Sequence, residues 1–201
     1  MRRFTKGFTL MELLIVIGVL GILAAGLLAA IDPFEQLKKA RDTNNRSAAI
    51  ELLQSSQRYY ATHGYLPWRK PGATPGTFDC TGTDIARLRP ATDETAYPHA
   101  SISIASDTQD DGYDCLNATL LPDGEIKSTF FDGLATTLYI FSGSRTKAGV
   151  CFAPEAKSNR TDTSTKYQIS GSGDSDYSVA DVSGAATCPD VDLDTCLQCF
   201  E

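Results

Sequence analysis

Histidine is almost absent: His63 and His99 are the only two in 201 residues. No G-x-S-x-G, no Walker A loop and no paired-acid motif accompanies them. Nothing here therefore supplies a recognisable nucleophile, base or phosphate cradle, and an enzyme is not expected. Cations are also scarce, with 18 Lys and Arg against 25 Asp and Glu and a net charge of −7. The densest basic stretches are Met1–Lys6 and Lys38–Arg46. A broad basic face for phosphate is lacking, so no direct nucleic-acid partner is expected. The single CxxC, Cys196-Leu-Gln-Cys199, has neither a second copy nor a nearby histidine, which leaves zinc short of a fourth ligand. The longest gap is in charge itself. Leu13–Ile31 carries none over about 19 residues, long enough to cross a bilayer as a helix.

What is present divides unevenly along the chain. Residues 1–7, MRRFTKG, form a short basic leader, and the apolar segment extends over 8–31. Cations before an apolar helix favour keeping that end in the cytoplasm, so the bulk of the chain is expected outside. A cleaved secretory signal is the alternative, with Ala29-Ala30 as part of a small-residue cut site. Against it, the apolar run exceeds the usual length and Glu12 stands at its start. All six cysteines, Cys80, Cys115, Cys151, Cys188, Cys196 and Cys199, lie downstream of the run. An even number on the far side of a membrane fits disulfides, with the pairing left open by the sequence.

Residues 32–64 change to an amphipathic pattern. Phe34, Leu37, Ala48, Leu52 and Tyr59 recur at helical spacing, with Ala49, Leu53 and Tyr60 alongside and Glu35, Lys38, Arg41, Asn45 and Glu51 as the polar neighbours. Pro33 is expected to kink or weaken a continuous helix of roughly 80 Å, and Gly64 with Pro67 to stop it. His63 is then a helix C-terminal residue close to free carbonyls. Residues 65–201 carry loop and strand signals: a short helix at DIARLR, strands at SISIAS, around Thr137–Phe141 and Ala148–Phe152 with a turn at Ser142–Arg145, and at KYQIS. Trp68, Tyr59, Tyr60 and Tyr65 are expected at the seam between helix and sheet. The tail, 171–201, lacks strong periodicity and is expected to owe its shape to cross-links. The fold class is therefore α+β: a long N-terminal helix, half membrane and half amphipathic, packed on a small antiparallel sheet.

Glu12 is the residue that this layout leaves unexplained, because a carboxylate among lipid-facing side chains is costly without a partner or a function. Its surroundings, KGFTLMELL, combine a basic leader ending in Gly7, then Phe8, then Thr-Leu-x-Glu-Leu, then the apolar helix. This pattern resembles the class III signal of type IV pilins and type II secretion pseudopilins, closely from Arg2 to about Ile31. The resemblance implies a pilin-like fold and a structural subunit, not an enzyme. It implies cleavage after Gly7 by a prepilin peptidase, N-methylation of Phe8 by the same enzyme, and polymerisation of many copies through the N-terminal helix. Glu12 would then pair with the Phe8 amine of a neighbouring copy and set filament register, since an unpaired buried carboxylate penalises the wrong stagger. The implied partners are the peptidase, other copies and related pilins, and an inner-membrane platform whose ATPase is a separate protein. The implied location is a single-pass inner-membrane protein that later enters an extracellular or periplasmic filament. The family commonly has a proline one turn before Pro33, where this chain has Ala29.

Two further patterns are weaker. Gly21, Ala25 and Ala29 recur every fourth residue, and small residues on one stripe let membrane helices approach. Major pseudopilins commonly bind calcium in the outer domain, so none is required but the acidic clusters are candidates. Asp107, Gln109, Asp111 and Gly112 align with the start of an EF-hand loop whose closing acid falls on Ala118. Asp190, Asp192 and Asp194 alternate beside Cys188 and Cys196, and Asp174 and Asp176 form a third, smaller group. The competing function is a membrane-anchored or secreted domain that binds a ligand or surface and does not polymerise. It needs neither Glu12 nor the Gly7-Phe8 junction.

Overall fold

The computed structural model describes residues 7–30, 32–75, 77–80, 101–104, 111–131, 134, 136–142, 145–162, 164–170, 178–181 and 196–201. The chain divides into two compact units, Met1–Leu37 and Lys38–Glu201.

In the first unit, α1 (Leu10–Ala30) is apolar on every side, and Leu10–Leu27 is long and apolar enough to cross a membrane. Its large side chains from Leu10 to Leu27 are about half to four-fifths exposed. α2 (Pro33–His63) begins in this unit and continues into the second. Its start explains Pro33. Asp32 Oδ1 accepts the backbone N–H of Phe34 at 3.0 Å and of Glu35 at 3.3 Å, so Asp32 is the cap and Pro33 the first helical residue. A proline there removes no hydrogen bond, because the first N–H groups of a helix have no internal acceptor. The weakening expected at Pro33 takes this form: α1 ends at Ala30 and α2 begins at Pro33. The far end follows the expected stop: Gly64 takes φ +80° and its N–H donates to Tyr60 O at 2.8 Å.

The second unit buries one face of α2, but not the whole expected stripe. Ala49, Leu52, Leu53 and Tyr59 are buried, with Ala48 and Tyr60 packed beside them, whereas Phe34 is 73% and Leu37 58% exposed. Burial begins at Asp42 and includes Asn45, which the spacing puts among the polar neighbours. Polar residues on this face are accommodated by local acceptors. Ser55 and Ser56 hydroxyls donate back to Leu52 O at 2.8 and 2.9 Å. Beyond Gly64 a single 3₁₀ turn, Pro67–Arg69, places Trp68 at full burial. Trp68, Tyr59, Leu138, Ile140, Val150 and Phe152 share one core with Tyr60 and Tyr65 at its margin, which is the expected aromatic seam.

Among the described residues the sheet has six antiparallel strands: β1 (Ser101–Ile104), β2 (Leu138–Phe141), β3 (Gly149–Phe152), β4 (Thr165–Ser170), β5 (Ser178–Asp181) and β6 (Cys196–Phe200). Their order is β1-β2-β3-β6-β4-β5. Strands β1 to β4 fall where the sequence pattern places them; the expected helix at DIARLR lies outside the described residues. The tail departs from expectation, since it supplies both β5 and β6. The last strand is interior, paired with β3 on one side and β4 on the other. Its Cys196, Leu197 and Gln198 are buried, the cysteines serving as small apolar residues that a period count over Leu and Phe overlooks. Between the strands, α3 (Asp111–Leu120) and the single turn α4 (Lys157–Arg160) complete the unit.

Candidate functional site

Residues 7–9 precede α1 without regular structure, and Phe8 is 81% exposed. The peptide bond between Gly7 and Phe8 is thus outside the helix. A Cβ placed on Gly7 would meet nothing within 4 Å.

Glu12 has a partner within its own chain that its place in an apolar run does not suggest. Its Oε2 accepts from Thr9 N–H at 2.9 Å and from the Thr9 hydroxyl at 2.8 Å, and Thr9 Oγ1 accepts from Glu12 N–H at 3.2 Å. Thr9 is the residue before the helix and Glu12 the third within it, a reciprocal capping box. The signal for it is T-x-x-E ahead of an apolar run. The box satisfies two N–H groups at the helix start and gives the carboxylate and its backbone three hydrogen bonds with Thr9. It does so without any side chain from residues farther along. A Cβ placed on Gly21 would likewise meet nothing within 4 Å, and Ala25 is exposed, while the side chain of Ala29 lies outside the described set.

In the second unit the disulfides are explicit. Cys80 pairs with Cys115 across 35 residues, and Cys151 with Cys199 across 48. Cys151 and Cys199 are direct partners in the β3–β6 register, so the bond staples the last strand to its neighbour. Cys196 is disulfide-bonded as well; Cys188 lies outside the described residues.

The calcium candidates fare unequally. Asp111 is the first residue of α3, and that helix occupies the stretch that an EF-hand loop would need. Asp107, Asp190, Asp192 and Asp194 lie outside the described residues, as do Asp174 and Asp176. Among the described residues, no group of three or more His, Cys, Asp or Glu side chains is placed to hold a metal.

Two polar clusters that the sequence did not announce organise the unit. Asp42, 1% exposed, accepts from Glu155 N–H at 2.8 Å, Ala156 N–H at 3.0 Å and the Asn159 amide at 2.7 Å. It ties α2 to the segment after β3. At the other end of α2, Arg58 Nε reaches Glu125 at 2.7 Å and His63 Nε2 reaches Asp123 at 3.2 Å. His63 also stacks on Tyr59 at 4.2 Å and sets Nδ1 3.2 Å from Tyr59 O, the helix-end position expected of it. Among the described residues, concavities of about 240 to 300 Å³ lie beside Tyr60 and Phe141, beside Cys80 and Cys115, and beside Ala48 and Phe130, at the small end for ligand sites.

No curated protein and no solved structure matches the chain. The family described as the prokaryotic N-terminal methylation motif matches residues 2–28, a stretch that holds Gly7, Phe8, Thr9, Glu12 and most of α1. That motif belongs to structural proteins of the pilin type. The chain carries, on these residues, the class III signal of type IV pilins and pseudopilins.

Proposed function

We propose that this protein is a structural subunit, a pilin or pseudopilin, of a type IV pilus or a type II secretion-like filament. A prepilin peptidase cuts after Gly7 and methylates the new amine of Phe8. The mature chain is held once in the inner membrane by α1 with the C-terminal unit outside, and then joins other copies through α1. A platform with its own ATPase drives that step, and calcium is not required for it. One observation carries this reading: the methylation motif over residues 2–28 sets a non-helical Gly7-Phe8 junction ahead of a membrane-length helix whose single acid is Glu12.

The physical role of Glu12 follows from its position. In the capped helix its charge rests on donors from Thr9. In a bundle of α1 helices a neighbour's Phe8 ammonium supplies full opposite charge, which Thr9 does not. An uncompensated carboxylate in such a bundle is strongly unfavourable, so one axial stagger is selected.

The test is the N-terminus of the mature protein from native cells, by mass spectrometry of its terminal peptide. A chain that starts at N-methylated Phe8 is expected. One that starts near Ile31 means a cleaved secretory signal, and the filament reading falls.

A further inference from the structure

A short hairpin follows the 3₁₀ turn of the second unit. Pro71 and Phe78 form an antiparallel bridge, Gly72 N–H donates to Thr77 O at 2.9 Å, and Asp79 N–H donates to Lys70 O at 2.9 Å. Cys80, the next residue, is bonded to Cys115, which fixes the base of the hairpin on α3. This loop presents Phe78, at 37% the most exposed large apolar side chain among the described residues of the unit. The same unit holds the concavity of about 240 Å³ walled by Tyr60, Leu66, Phe141 and Ala148, with Lys147 and Glu201 also lining it. We propose that Phe78 of one copy enters this concavity on a second copy, a head-to-tail contact that rests on the filament reading above.

Size, rigidity and charge all favour this occupant. The concavity falls below the range of about 300–1,000 Å³ usual for free small-molecule ligands. It suits a single aromatic ring held by its own backbone, the usual anchor of a protein interface. Its wall is already set: Phe141 is buried and lies over Gly149, where a Cβ would run into the ring. The hairpin likewise holds Phe78 by backbone hydrogen bonds and a neighbouring disulfide, so docking demands little ordering on either side. Charge selects the orientation rather than supplying the attraction. Asp79 and Lys70 flank Phe78 as a pair at 3.0 Å, and the concavity carries one group of each sign, Lys147 and Glu201. One orientation sets Asp79 toward Lys147 and Lys70 toward Glu201, and the reverse sets like charges together. The ring and the concavity are different patches of one chain, so each copy that receives a ring offers another. A contact of that kind does not end in a two-fold pair; unless it closes into a ring of copies it extends as a helix, the form a filament takes.

The test uses the full-length chain in native cells, with a diazirine-bearing phenylalanine analogue at position 78. Sheared filaments are irradiated, dimer-sized bands are cut from a reducing gel, and the cross-linked peptides are read by mass spectrometry. The expected cross-link joins position 78 to the other copy's tryptic peptide Tyr59–Arg69, which contains Tyr60 and Leu66. Gln57→Trp, at an exposed position that lines the concavity, should fill it and lower the dimer yield about tenfold with an unchanged melting temperature. Dimers linked elsewhere, undiminished dimers in Gln57→Trp, or filaments without dimers overturn the inference and leave the subunit reading standing. So does a cross-link to a different protein. If the unmodified chain forms no filaments and is recovered as single copies, the filament reading and this inference fall together.

Discussion

At the residue scale, two side chains, Thr9 and Asp42, hold positions that polarity alone did not reveal. Thr9 completes the capping box with Glu12, so Thr9→Ala should destabilise the start of α1 by about 0.5–2 kcal/mol. Faster amide hydrogen exchange at residues 10–13 in detergent is the readout. Glu12→Ala should leave membrane insertion unchanged yet lower incorporation into filaments, measured by sheared-filament yield. Normal yield would remove register-setting as the reason for the carboxylate. Asp42 presents a different case, a buried acceptor for three donors. Asp42→Ala strands those donors and should cost on the order of 3 kcal/mol in thermal unfolding. Burial, with Tyr65 and Asp123 beside it, pushes the Tyr59 phenol above its ordinary range. The unfolded chain therefore ionises first, and the stabilising difference is complete below about pH 10 and lost as pH rises beyond it. Tyr59→Phe should flatten that alkaline fall in melting temperature. The acid at position 12 was legible in the sequence because it breaks an apolar run. Asp42 was not, because an aspartate at helical spacing reads as solvated until the segment that covers it is known.

Among the elements, β6 is the one whose place depends most on distant residues. This five-residue strand pairs with β3 through Gln198–Phe200 and with β4 through Cys196–Gln198, and Cys199 is bonded to Cys151 directly across the ladder. Closing 48 residues restricts the unfolded chain, so the double replacement Cys151→Ala/Cys199→Ala should lower stability by about 2–5 kcal/mol, seen as a fall in melting temperature. An unchanged melt would mean that the ladder alone holds β6. The β2–β3 pair is packed more tightly than its sequence implied. A Cβ on Gly149 would run into the ring of Phe141, which is its own cross-strand partner. β1 to β4 were readable because their branched and aromatic residues alternate or cluster between turn signals. β6 was hidden because two of its five residues are cysteines, which signal cross-links rather than strands.

At the scale of the whole molecule, the exposed large apolar side chains among the described residues are concentrated in residues 8–37, while residues 38–201 hold the core and the sheet. A chain lacking residues 1–31 should therefore remain soluble and retain its disulfides, while the full chain partitions into detergent; phase separation in a clouding detergent separates the two. The amino-acid sequence alone determined the processing signal, the membrane-length helix and the class of fold. Those rest on local order: a glycine before a phenylalanine, an uninterrupted apolar run, and a period of 3.6 giving way to 2. It also determined that the cysteines would be cross-linked, through their number and their absence from the leader. Only the tertiary structure decided which cysteines meet, that Pro33 begins a helix under an Asp32 cap, and that burial of α2 starts at Asp42 rather than Phe34. The pairing and the burial depend on which surfaces are covered by residues far along the chain, more than a hundred positions away in the case of Asp42. Burial is a property of the pair of surfaces, and no spacing within one helix specifies it.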